Sequence, residues 1–138
     1  MNVPYKKYPN SKGGFLYIAA LPVSIAGLHK GAPRSRRFEA IIDSGASNCL
    51  FQAALGRAIG LDVAGGEPLE TLGISGPNQV FMHDISLYVP GGILSIRAGF
   101  SEALPVTGLL GMTGFFDHFK ITFDPVSAAC VLDRLFTA

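Results

Sequence analysis

The residues of this chain best suited to chemistry are Asp43-Ser44-Gly45, which follow directly on an apolar run that begins at Phe38. β-Branched residues such as Ile41 and Ile42 are typical of a buried strand, so the pattern carries a carboxylate to the edge of a core. A carboxylate that is even partly buried costs free energy unless it is paired or used. We therefore interpret Asp43 as a functional residue, although the tripeptide alone also occurs in ordinary turns and phosphorylation sites.

Two later segments strengthen this interpretation. Residues 69–74 and 80–89 read as strands around Ser75-Gly76-Pro77-Asn78, which predicts a hairpin whose tip carries no bulky side chain. Further on, the apolar triplet Leu109-Leu110-Gly111 is followed by Phe115 and Phe116. A carboxylate turn, a glycine-tipped hairpin and an apolar triplet that ends in glycine thus occur in a fixed order.

Other kinds of site fit the sequence less well. The glycines at 108, 111 and 114 are spaced like a phosphate loop, but no Gly-Lys-Ser/Thr accompanies them. Ser47 lacks the second glycine of a nucleophile elbow, and no histidine is placed in sequence to activate Cys49, which we expect to be a reduced core thiol like Cys130. The three histidines lack metal-ligand spacing to either cysteine, so we expect neither a metal nor a cofactor.

Length and composition indicate the kind of fold that positions Asp43. The 138 residues suffice for one domain with a real core, and 49% hydrophobic against 15% charged residues excludes a disordered chain. So low a charged fraction suggests that a partner covers some apolar surface. A net charge of +1 gives no reason to expect nucleic acid or an acidic membrane as a partner. Turn residues, 17 Gly and 9 Pro, separate runs rich in Val, Ile and Phe, which indicates a mostly β protein.

The predicted elements follow from these runs. Residues 1–14 are polar and glycine-rich and are expected to form a flexible N-terminal arm, with a single domain over 15–138. We predict strands at 15–20, 21–28, 38–43, 69–74, 80–89, 93–100, 120–124 and 129–132, with Pro22 at a break or edge. Helical spacing predicts a helix over 50–61 and a short helical piece over 115–119. The basic cluster around Arg34, Arg36 and Arg37 is interpreted as a solvated turn rather than a nucleic-acid patch.

A signal peptide is the one targeting alternative. Lys6, Lys7 and Lys12 precede the apolar run 15–26, as in the first two regions of such a signal. Pro22 interrupts the run, so we favour a pair of strands, and the run is too short and broken to span a bilayer. The compartment stays open, with the cytoplasm favoured.

Taken in order, three segments resemble the retropepsin-like aspartic proteases, the single-lobed relatives of pepsin. Residues 21–27 are similar to the opening strand, residues 38–46 to the catalytic segment, and residues 109–116 to the second signature. The resemblance covers residues 15 to 135 and implies a closed, mostly β acid-protease barrel with one or two short helices and one lobe per chain. It also implies a homodimer that hydrolyses extended peptides.

The same resemblance assigns roles to individual residues. Asp43 of each chain is expected to meet its copy, and two carboxylates about 3 Å apart share one proton, so that one acts as base and the other as acid. Residues 69–89 are expected to form a flap over the peptide. The other expected site residues are Ser44, Gly45, Leu109, Leu110 and Gly111 in the support of the loop, and Gly45, Ala46, Gly73, Ile74, Ser75 and Gly76 in contact with substrate.

Two departures concern the dimer. Ser47-Asn48 stands where retroviral members place two acidic residues, and Met112 stands where they place an arginine, so the ion pair at their dimer interface is missing. A dimeric peptide-binding or assembly module of the same fold remains an alternative, as does a monomeric barrel that binds a small ligand. The intact Asp43-Ser44-Gly45 favours the enzyme.

Overall fold

A computed structural model describes residues 1–73 and 76–135 of the chain. The strands are β1 (Asn2–Pro4), β2 (Lys6–Pro9), β3 (Phe15–Ile18), β4 (Ala20–Gly27), β5 (Phe38–Ile42), β6 (Cys49–Gln52), β7 (Glu67–Gly73), β8 (Gly76–Val89), β9 (Gly92–Ser101), β10 (Gly108–Leu110), β11 (Phe119–Asp124) and β12 (Ala129–Arg134). Within the described ranges one α-helix occurs, α1 (Ala53–Ala58), together with a 3-10 turn at Val63–Gly65. The protein is therefore mostly β, as predicted.

Six of the strands close into a barrel. Their order is β4-β5-β10-β6-β9-β8, and the ring is completed by antiparallel pairing of β4 with β8, from Ser24 opposite Tyr88 to Gly27 opposite Ile85. Phe51, Phe100 and Phe115 are fully buried and fill the interior. Alternation along β5 follows this closure, since Phe38, Ala40 and Ile42 are buried whereas Glu39 and Ile41 are partly exposed. The predicted closed barrel is confirmed.

The helix predicted over 50–61 begins later than expected, because residues 49–52 form strand β6. Leu50 lies opposite Leu109 of β10 on one side and opposite Gly99 of β9 on the other. Two neighbours distant in sequence therefore impose an extended backbone on a segment whose apolar spacing is helical. Residues 114–118 likewise form successive turns instead of the short helix expected over 115–119, with Phe116 N–H donating to Gly111 O at 3.2 Å.

The N-terminal segment contains two strands where we expected a flexible arm. Strand β1 pairs antiparallel with β12, with Val3 opposite Cys130, and Val3 is only 6% exposed. Strand β2 pairs with β3, with Lys6 opposite Ile18. The polar composition of residues 1–14 hides these strands, because the partner of β1 lies more than a hundred residues away. Ala19 separates β3 from β4, so the interruption lies three residues before Pro22, which is inside β4.

The predicted hairpin is formed by β7 and β8. Pairing runs from Glu67 opposite Met82 to Gly73 opposite Gly76. Residues 76–78, which were predicted to lie in the turn, therefore belong to β8 and pair with residues 71–73. Ile74 and Ser75, which were predicted to contact substrate, lie outside the described residues. Among the helices that the structure describes, none has the length and apolar character needed to cross a membrane.

Candidate active site

Asp43 follows the last residue of β5, and its backbone is fixed from two directions. Its N–H donates a hydrogen bond to the carbonyl oxygen of Leu110 at 3.0 Å. The preceding residue, Ile42, lies opposite Leu110 in the parallel β5–β10 pair and donates to Ala19 O at 2.9 Å. The backbone that carries the carboxylate is therefore held between strands β4 and β10.

The turn after Asp43 is closed by the carboxylate itself. Gly45 N–H donates to Asp43 Oδ1 at 2.8 Å, and Ala46 N–H donates to Asp43 O at 3.2 Å. Short polar side chains close turns in this way, and the bond also orients the carboxylate before any ligand binds. The Asp43 side chain is half-buried, whereas Ser44 and Gly45 are exposed, so solvent reaches the loop.

The close approach of backbone atoms at Gly111 explains why the apolar triplet must end in glycine. Next to it, Met112 N–H donates to Ala46 O at 2.8 Å and Thr113 N–H donates to Ser47 O at 3.0 Å, so the two loops lie side by side. A Cβ atom on Gly111 would overlap the carbonyl oxygens of Asn48 and Ala46. Only glycine permits this approach of two backbones. The predicted supporting segment therefore lies directly against the Asp43 loop.

Cys49 lies beneath the same junction. Its Sγ accepts a hydrogen bond from Gly111 N–H at 3.4 Å, and the side chain is fully buried. Burial raises the pKa of the Cys49 thiol to about 11, the negative charge of Asp117 adds to this, and the Gly111 N–H opposes it. The thiol is therefore neutral at physiological pH and unsuited to act as a nucleophile. The sequence correctly predicted a free core thiol but gave no signal of its contact with Gly111.

Asp117 is the acidic residue closest in sequence to the supporting triplet, and it has a structural task. Both of its carboxylate oxygens accept from Gly114 N–H, at 3.1 and 3.2 Å, and Gly114 has a φ of +105° that favours glycine. Asp117 thus closes a turn, as short polar side chains commonly do. In the part of the chain that the structure describes, no carboxylate forms a hydrogen bond or ion pair with Asp43. Within these described residues, one chain therefore supplies a single carboxylate at this position, that of Asp43.

A groove lies along β5, and its lining includes no residue of the Asp43 loop. It has a volume of about 440 Å³ and is lined by Ile41 and Glu39 of β5, by Val106 and Thr107 before β10, and by Tyr8 of β2. Ile41 lies opposite Leu109 in the strand register, and both side chains are partly exposed. Ile41, which lines the groove, precedes Asp43 by two residues near the end of β5.

The structure thus brings together most of the predicted site. Six of these residues form one assembly around the loop at the end of β5: Asp43, Ser44, Gly45, Ala46, Leu110 and Gly111. Leu109 contributes a partly exposed side chain to the neighbouring surface. Gly73 and Gly76 lie apart from it in sequence, paired at the end of the β7–β8 hairpin. Sequence reasoning missed Asn48, whose carbonyl oxygen leaves no room for a side chain on Gly111.

No protein-family model matches the sequence, and no curated protein matches it. Among solved structures, a retropepsin-like aspartic protease from Rickettsia conorii superposes with a TM-score of 0.62, and the match covers 94% of this chain and 95% of that one. The chain has the retropepsin-like fold. Sequence identity to that structure is 16%, so the likeness is one of fold. The retropepsin-like fold predicted from three short segments is confirmed, and the roles of individual site residues stay predictions.

Proposed function

We propose that this protein is a homodimeric aspartic endopeptidase that hydrolyses extended peptides with a water molecule held between two copies of Asp43. The observation that carries the proposal is the position of the Asp43 carboxylate. It stands at the end of a barrel strand in a retropepsin-like fold, pre-oriented by Gly45 N–H at 2.8 Å and solvent-accessible. Asp117 is held by a backbone N–H in a similar way, so the proposal rests on where Asp43 lies in this fold rather than on its hydrogen bond alone.

The need for a dimer follows from the proton transfers that amide hydrolysis requires. Amide hydrolysis by water needs one group to accept the water proton as oxygen attacks the carbonyl carbon, and another to donate a proton to the carbonyl oxygen. Two carboxylates that share one proton perform both tasks, the ionised one as base and the protonated one as acid. Collapse of the tetrahedral intermediate then returns a proton to the departing amine. Since each chain supplies one carboxylate loop, the second must come from another copy.

The neighbouring residues take supporting roles in this proposal. The Ser44 hydroxyl, which is exposed, would hydrogen-bond to the second copy's loop. Gly45 and Ala46 would form the floor on which an extended peptide lies, and the groove beside Ile41 would receive an apolar side chain. The β7–β8 hairpin would close over the peptide and pair with its backbone. Gly73, Ile74, Ser75 and Gly76 are the residues that we expect from the sequence to contact the peptide there.

Two other functions are less well supported. A dimeric peptide-binding or assembly module of the same fold would use the cleft but would not depend on Asp43. A monomeric barrel that binds a small ligand needs interior space, whereas fully buried Phe51, Phe100 and Phe115 fill the inside of this barrel.

The test is digestion of a peptide library by the wild type and by Asp43→Asn, which keeps size and hydrogen-bonding capacity but cannot share a proton. Asp62→Asn is the matched control, because it removes an exposed carboxylate that follows α1, outside the Asp43 loop and the β7–β8 hairpin. We expect cleavage in the wild type and the control, and none in Asp43→Asn, with unchanged circular dichroism and sedimentation in all three. Undiminished cleavage by a folded Asp43→Asn protein would exclude the proposed mechanism.

A further inference from the structure

A small pocket on the barrel wall contains two arginines. Ser24 of β4 and Tyr88 of β8 form its sides, and Arg34 and Arg37 reach it from the loop that joins β4 to β5. Its volume is about 80 Å³. None of the residues that line the pocket belongs to the Asp43 loop or lines the groove along β5. A single water molecule needs about 10–15 Å³ of such space, so the pocket has room for a group the size of several waters.

The guanidinium of Arg34 is held in place before any ligand binds. Its Nε donates to Ser24 Oγ at 2.7 Å, and Ser24 is only 3% exposed. The guanidinium carbon lies 3.9 Å from the centre of the Tyr88 ring, in a cation–π contact. An arginine has five N–H donors, and within the described residues only the Nε one is engaged. A fixed fork of free donors therefore borders the pocket.

The charges around the pocket are unbalanced. Arg37 adds a second guanidinium, and the lining residues include no carboxylate. No ion pair of the residues that the structure describes involves Arg34 or Arg37. Arg34 and Arg37 are both exposed, and two positive charges at one pocket favour an anion as its ligand. Planar guanidinium forks match the oxygens of carboxylates and phosphates, and a fixed fork loses little freedom on binding.

We propose that this pocket binds a phosphate group. Two guanidiniums suit a doubly charged, tetrahedral oxyanion better than a single carboxylate, because both forks then find acceptors. The pocket is too small for a nucleotide base, and the Tyr88 ring, which a base would need for stacking, is covered by Arg34. The basic cluster interpreted from the sequence as a solvated turn is therefore, at two of its positions, a binding site for a small anion.

Binding is tested by titrating the 138-residue chain with inorganic phosphate at constant ionic strength and following amide shifts by NMR. We expect saturable shifts near Ser24 and Tyr88. Because a hydrogen bond to a charged group contributes about tenfold or more in affinity, Arg34→Ala and Arg37→Ala should each weaken binding by about tenfold. Arg36→Ala is the matched control, since it removes one charge from the same loop at a residue that lines the other groove, and it should keep wild-type affinity.

Two further arms identify the source of the phosphate and separate this site from the proposed catalysis. A short phosphoserine peptide that binds more tightly than inorganic phosphate, and loses this advantage in Arg34→Ala, would assign the site to phosphorylated protein; equal affinity would assign it to free phosphate. Asp43→Asn should bind phosphate as the wild type does, whatever its peptidase activity. Absence of saturable binding to both probes, or equal weakening by Arg36→Ala, would overturn the proposal.

Discussion

The backbone N–H of Asp43 donates a hydrogen bond to the carbonyl oxygen of Leu110 at 3.0 Å, and this bond joins the two halves of the candidate site. Leu110 is fully buried, so the strand that accepts the bond is anchored in the barrel core. The position of the carboxylate consequently depends on the packing of a residue 67 positions further along the chain. A change in the packing of Leu110 should therefore displace the Asp43 carboxylate, because this hydrogen bond connects the two residues.

Replacement of Leu110 by alanine should destabilise the barrel by about 2–5 kcal/mol, the usual range for a buried leucine. Leu109→Ala is the matched control, because its side chain is only partly buried beside Ile41, and it should lose much less stability while raising the KM for peptides with an apolar residue at the cleavage site. Urea denaturation measures the first effect and steady-state cleavage the second. Equal destabilisation by both changes would show that the inward and outward sides of β10 are misassigned.

Gly111→Ala should damage both stability and cleavage. The added Cβ would overlap the carbonyl oxygens of Asn48 and Ala46, which are backbone atoms and cannot turn away. Relief requires separation of the two loops, at a cost of about 1–3 kcal/mol or more. Gly92→Ala provides the control, because a Cβ there meets nothing within 4 Å. A Gly111→Ala protein as stable and active as Gly92→Ala would contradict the close approach.

The Cys49 thiol should make stability fall at alkaline pH. Burial raises its pKa from 9.0 to about 11 in the folded protein, so between these values the folded state holds more protons than the unfolded state. Stability is then at its full value below pH 9 and decreases as pH rises, by about 2–3 kcal/mol in total. Urea denaturation from pH 8 to pH 11 should show this loss in the wild type and a smaller one in Cys49→Ala. Identical slopes for the two proteins would mean that the thiol ionises as freely in the fold as in solution.

The N-terminal strand should be essential to the terminal sheet. Val3 is 6% exposed where β1 pairs with β12, so Val3→Asp buries a charge without a partner and should cost about 3 kcal/mol or more. Asn2→Asp adds the same charge at an exposed neighbour and should change stability little. Thermal unfolding of the two variants distinguishes them. A Val3→Asp protein as stable as Asn2→Asp would restore the flexible arm that composition alone suggested.

The sequence pattern predicted secondary structure correctly where the conformation of a segment depends mainly on its own residues. In β5, the apolar run from Phe38 to Ile42 is visible in the sequence, and it predicts the strand and the exit of Asp43 from the core. The hairpin was likewise visible, although its second strand begins at Gly76 rather than at residue 80. In both places the short-range signal predicts the strand, and long-range packing sets its exact bounds.

Prediction failed where distant contacts decide. Strand β6 has helical spacing, and only its position between β9 and β10 makes it extended. Strand β1 is too short and polar to be recognised without β12. The contact of Cys49 with Gly111 joins residues 62 positions apart and leaves no trace in local composition. The surface through which two copies would meet is equally absent from the pattern, because it depends on shape.

The measurement that tests the central claim most directly is peptide cleavage by a fixed amount of wild-type protein mixed with Asp43→Asn. Above the dissociation constant of the dimer, random exchange with an equal amount of the variant places half of the wild-type chains in mixed pairs. If each site needs two copies of Asp43, activity should fall by about half at this ratio and continue to fall as more variant is added. Asp62→Asn in place of Asp43→Asn should not lower activity. Cleavage that stays constant at every ratio of Asp43→Asn would show that one chain is active alone, and would contradict a shared pair of carboxylates.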